Sequence, residues 1–131
     1  MRVHDPAVLA DGYWEHYRRT TSTSRAVRLS AGDTRWAWDE VEDRVRSEPE
    51  AMIAILVAIA DAAPDDDALA YLGAGPVEDL IVRSGSDIVI DRIEGAARRS
   101  DNFRKAVCCA WFDDDTSGTV RDRLRELGEP Y

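Results

Sequence analysis

The stretch Ala70-Tyr71-Leu72-Gly73-Ala74-Gly75-Pro76-Val77-Glu78-Asp79-Leu80-Ile81 restricts the fold more than any other part of the chain. Two glycines interrupt an apolar helical pattern, a proline follows, and two carboxylates stand just beyond it. Proline suits the first helical turn, where its missing N–H costs nothing, and acidic side chains there meet the positive end of the helix dipole. The spacing predicts a helix ending near Leu72, a turn with Gly73 in the left-handed conformation, and a new helix from Pro76. Gly73, Gly75 and Pro76 are therefore read as turn residues. A chain that reverses this tightly between helices packs as helical hairpins.

The rest of the sequence repeats the pattern of cap, helical period and stop. Asp5-Pro6 starts a helix whose Leu9, Tyr13 and Tyr17 form one stripe, ending near Arg19. Asp33 is placed to cap a second helix, to about Arg46, with Trp38, Val41 and Val45 on its inner face and Trp36 off it. Ser47 and Glu50 have capping-box spacing. The helix that follows, to about Ala62, carries Met52, Ile53, Ile55, Leu56, Val57 and Ile59 on nearly every face, so it is expected at the centre. A short helix bears Leu69, Tyr71 and Leu72. Beyond the glycines come a helix with Val77, Leu80 and Ile81, closed by Gly85, and one begun by Ser86 or Asp87 with Ile90, Ile93 and Ala97. Ser100 caps the next, which carries Phe103, Val107, Ala110 and Trp111, and a last helix uses Val120, Leu124 and Leu127 and stops at Gly128. Only Asp87–Asp91 looks strand-like, and it leads into an Ala-rich helical pattern. The expected fold is all-α: seven or eight short helices stacked as hairpins in one domain over 1–131, of the HEAT-like or solenoid kind, although no fixed-period repeat is visible.

Charge narrows the function. Of 131 residues 26 are acidic and 17 basic, a net charge of −9, which opposes binding to a polyanion and suits a basic partner. The exception is 18–32, where Arg18, Arg19, Arg25 and Arg28 occur without an acid and a Thr/Ser run intervenes; it reads as a mobile basic loop. No signal-peptide pattern opens the chain, and its longest uncharged apolar run, 51–60, is too short for a bilayer. Cys108 and Cys109 are adjacent and would close no useful loop, which suits a reduced, cytoplasmic protein.

Four further signals lie along one half of the chain: Trp36-Ala37-Trp38, the Pro49-Glu50 helix start, Leu72 to Leu80, and Ile93-Glu94-Gly95-Ala96-Ala97-Arg98, followed by Phe103-Arg104 and Trp111. Together they resemble an uncharacterised family of small bacterial helical proteins with a Leu-Gly-Ala-Gly-Pro-Leu-Glu-Asp-Leu core. Val77 stands where that family has Leu. The resemblance covers about 36–111, implies the helical fold, and carries no activity.

Little in the sequence can be assembled into chemistry. Gly73-Ala74-Gly75-Pro76 has the look of a phosphate-binding turn, but Pro76 removes an N–H and Glu78 and Asp79 would repel an anion. Asp113-Asp114-Asp115-Thr116-Ser117-Gly118 parallels a calcium loop, yet the position of the bidentate Glu is Leu124, so at most weak divalent binding is expected. His4 is placed in an unstructured end, and His16 has no metal-ligand partner in spacing; no metal or cofactor is expected. Glu94 and Arg98 are spaced as a surface pair. Two readings result. The first is a non-enzymatic acidic protein-binding module, in one version an immunity-type inhibitor of a basic toxin or nuclease, using Glu78, Asp79, Arg18, Arg19, Arg25, Arg28, Trp14 and Trp36. The second is a small hydrolase or transferase using Glu78 and Asp79 in a cleft beside the turn. Trp14 and Trp36 also read more simply as core.

Overall fold

The structure, a computed structural model, describes residues 4–84, 86–110, 122–124 and 126–127. Those residues form an all-α fold without strands: α1 (Pro6–Thr20), α2 (Arg25–Leu29), a 3-10 turn (Ser30–Asp33), α3 (Arg35–Ser47), α4 (Pro49–Asp61), α5 (Asp66–Leu72), α6 (Glu78–Ser84), α7 (Asp87–Arg99) and α8 (Asp101–Cys108). Starts follow local chemistry. Asp5 accepts from the Ala7 N–H, Asp65 from Ala68, Ser86 from Val89 and Ser100 from Phe103, each meeting a donor that the first helical turn leaves open. The strand-like Asp87–Asp91 is helical because Ser86 caps it and Val89, Ile90 and Ile93 then share a buried face.

The expected central helix is central. Met52, Leu56, Ile59 and Ala60 of α4 are fully buried, and the helix packs on α1, α3, α7 and α8. Its one-sided neighbours bring Leu9 and Tyr13, Val41 and Val45, Ile90 and Ile93, and Phe103 and Val107 to it. α5 packs on α8, and α7 on α8. Helices remote in sequence thus meet around α4, which goes beyond the neighbour-to-neighbour contacts of a solenoid. Among the described residues, no helix is long and apolar enough to cross a membrane.

Several local expectations are corrected. Gly73 is not left-handed: its φ and ψ are −64° and −44°, and no described residue has a positive φ. The Gly-Ala-Gly-Pro segment is a widened, π-type turn over Gly73–Val77 that carries α5 into α6 without a reversal. A π-bulge frees the carbonyl that Pro76 could not partner, so proline is accommodated inside the helical run. The reason for glycine at 73 is proximity: a Cβ there would overlap the Ala106 carbonyl of α8. The basic stretch 18–32 is not a loop throughout, since α1 runs to Thr20 and Ser24 caps α2. The capping box at Ser47 does not form. A single residue, Glu48, separates α3 from α4, so Ser47 is still helical and donates to the Asp43 carbonyl. Thr34 rather than Asp33 occupies the N-cap of α3. Gly85, Trp111, Asp113–Gly118, Val120 and Gly128 lie outside the described residues.

Candidate functional site

Glu78 and Asp79 open α6 as expected, both half-buried. Asp79 lies 3.8 Å from Arg83 and also hydrogen-bonds Glu42 of α3. A bond between two carboxyl groups needs one proton, and Glu42 takes it more readily than usual. Burial raises its pKa first, then the Asp79 charge and the bond to Asp79. Arg46 lies 3.9 Å from Glu42, so the pair is flanked by a cation on each helix. Burial raises the Tyr71 pKa, with the Trp38 indole opposing it and the Glu42 charge adding to it, and the buried Tyr13 hydroxyl finds no hydrogen-bond partner among the described residues. This is a joint between α3 and α6. Neither Glu78 nor Asp79 lines the α4–α7, α5–α8 or α1–α5 grooves.

The basic residues are mostly spent on structure. Arg18 grips Glu15 through Nε at 3.0 Å and Nη2 at 2.6 Å; Arg19 reaches the same carboxylate at 2.9 Å and the Ser30 carbonyl at 3.0 Å. These bonds hold the Glu15 carboxyl at a pKa of about 2. Arg28 donates to the Ser22 carbonyl at 2.8 Å, which folds α2 back on its own connection. Arg25 alone of the four has no partner among the described residues. Trp14 is inside the core, its Nε1 donating to the Ile59 carbonyl at 2.7 Å, so only an edge can meet a partner. Trp36 is 39% exposed and rests over Gly12, where a Cβ would overlap its ring.

The expectation of an unstructured His4 is corrected. Its Nδ1 lies 2.5 Å from Glu40 Oε1 and its ring stacks on Trp36 with centroids 4.6 Å apart. Glu40 and Arg44 are both buried, 3.5 Å apart, and Arg44 also reaches Glu48 at 3.0 Å. A buried carboxylate needs partners, and tertiary folding supplies His4 as one of them. His16 contacts the Ala31 carbonyl and the Thr34 hydroxyl through Nδ1, which settles it as a structural bond across the α1–α3 corner. Among the described residues, no group of three or more His, Cys, Asp or Glu could hold a metal ion. Cys108 is unbridged, and desolvation raises its thiol pKa, the reverse of nucleophile activation.

What sequence reasoning missed is a groove of about 470 Å³ between α1 and the α4–α5 connection. It is lined by Trp14 and Tyr17, by Asp11, Glu15, Arg18 and Asp65, and by Ala62 and Pro64. Tyr17 meets Trp14 edge-on at 5.6 Å and Tyr71 at 4.9 Å. Burial raises its pKa, with the charges of Asp65 and Asp67 adding to it, so the hydroxyl stays neutral before a negative field. The period of α1 placed Tyr17 on the core stripe; its proximity to Asp65 is not visible along the chain.

Fold and surface together define a small all-α protein built around one buried helix, with an acidic, aromatic-walled groove at one corner. The chain belongs to a family of unknown function, DUF6869, whose model matches residues 24–129. Membership in an uncharacterised family is what the motifs from Trp36 to Trp111 implied. No curated protein and no solved structure matches it.

Proposed function

We propose that this protein is a non-enzymatic binding module that acts in the cytoplasm and docks onto a basic protein, with an immunity-type inhibitor of a basic toxin or nuclease as its specific form. The observation that carries the reading is how the charges are spent. Arg35, Arg46, Arg83, Arg98 and Arg104 pair with carboxylates three or four residues away, and Arg92, Lys105 and Arg123 with carboxylates on other helices. Asp11, Asp33, Asp43, Asp67 and Asp87 keep no cationic partner among the described residues. Pairing with carboxylates thus occupies most of the cations, Arg25, Arg28 and Arg99 excepted, while these exposed aspartates add to a surplus of negative charge facing solvent. Such a field steers a basic partner and weakens with salt.

The alternative, a hydrolase or transferase built on Glu78 and Asp79, draws less support, because Asp79 is engaged by Arg83 and Glu42 and neither residue lines the α4–α7, α5–α8 or α1–α5 groove. Affinity capture on the purified chain, from extract of its own cells at low and high salt, tests the binding reading. One stoichiometric basic protein, released as salt rises, is the expected result; recovery of no such protein at low salt overturns it.

A further inference from the structure

The groove between α1 and the α4–α5 connection has the chemistry of a receptor for one particular side chain. Its volume of about 470 Å³ holds a long side chain together with flanking backbone. Two aromatic rings form the wall, and Trp14 is fixed in place by its bond to the Ile59 carbonyl. Carboxylates come to the lining from two elements, Asp11 from α1 and Asp65 from the start of α5, with Asp67 also acting on Tyr17. Arg18, the one cation in the lining, is held by two bonds to Glu15, a carboxylate it shares with Arg19, and is outnumbered there by Asp11, Glu15 and Asp65. The lining thus presents aromatic surface and uncompensated negative charge to whatever enters.

We infer that this groove takes an arginine side chain presented by the basic partner, its guanidinium against Tyr17 and between Asp11 and Asp65. A planar guanidinium stacks on an aromatic face and donates to carboxylates on two sides, which a lysine ammonium does less well. Asp65 also caps α5 through its bond to the Ala68 N–H, leaving its second oxygen for a ligand. The inference rests on the basic-partner reading and adds the place and the side chain.

The test uses the intact chain and a capped pentapeptide carrying two arginines, with lysine and glutamate versions as comparisons, followed by chemical-shift changes at low salt. The expected shifts centre on the Trp14 indole, Tyr17 and residues 61–65, with the arginine peptide tightest and the glutamate peptide silent. Asp11→Asn with Asp65→Asn should weaken the arginine peptide about tenfold. Asparagine caps helices as well as aspartate, so an unchanged circular dichroism spectrum accompanies that loss. Shifts centred elsewhere, equal binding of lysine and arginine peptides, or an unweakened double variant would overturn the inference. If the double variant captures a salt-sensitive basic partner undiminished, the groove assignment falls while the partner reading stands.

Discussion

At Gly73 the helical run from α5 to α6 lies so close to α8 that a single methyl group would overlap the Ala106 carbonyl. Gly75, two residues on, faces open space and is also without a positive φ. The two glycines of the motif therefore differ in kind. Gly73→Ala should destabilise the protein by about 3 kcal/mol, because backbone rather than a flexible side chain has to move. Gly75→Ala should cost less, about 1 kcal/mol, because no distant atom crowds a Cβ there and only the ring of the following Pro76 disfavours a helical side chain at that position. Urea denaturation of the two variants decides it, and equal losses would refute the distinction. Gly12 is a second close approach, giving up its side chain so that Trp36 can lie across α1 and hold the His4 ring.

Each element is bounded by local chemistry and then held by a few long-range bonds. Ser100 does both. Its hydroxyl accepts from the Phe103 N–H at 3.1 Å and donates to Asp61 at 2.6 Å, so one side chain caps α8 and ties it to the end of α4. Ser100→Ala loses the cap of α8 and the tie to the exposed Asp61 carboxylate, and should cost about 1 kcal/mol. A shift in the urea midpoint without a change of slope is the expected readout. Many of the ion pairs lie along single helices at i,i+4 and are well exposed, as Arg35–Asp39 and Arg83–Asp79 are. Such pairs add little stability individually, and their larger effect here is to consume the positive charge. The Glu40–Arg44 pair on α3 differs in being buried, which makes His4 and Glu48 necessary to complete it.

Across the whole molecule, two carboxyl groups give the pH dependence opposite signs. Glu42 has a raised pKa in the folded state, so its charged form is the disfavoured one. Stability from this group is fully present below the unfolded value of 4.5 and is lost as pH rises through the raised folded value. Glu15 behaves inversely: its contribution is present above 4.5 and is lost as pH falls towards about 2. Glu42→Gln keeps a donor for Asp79 without the charge, so its melting temperature should exceed the parent's at pH 7 and converge on it near pH 4.5. Thermal melts across that range check the sign, and a variant less stable at pH 7 would refute it.

The all-α class, the central position of α4 and the caps at Asp5, Ser86 and Ser100 were legible in the chain, because a helix start and its buried stripe are set by residues within four positions of each other. The paired arginines are half legible: Glu94–Arg98 follows from spacing, whereas the shared grip of Arg18 and Arg19 on Glu15 depends on α1 staying regular through its last turn to Thr20. What only the tertiary structure decided is which distant groups meet. Gly73 answers to Ala106, His4 to Glu40, Glu42 to Asp79, and Tyr17 to Asp65, across separations that no local period encodes. The glycine motif shows the division most plainly. Its residues specified a break in regular α-helix, but the choice between a reversal and a widened turn was made by the packing of α8 against Gly73, which rewards keeping α5 and α6 in one run.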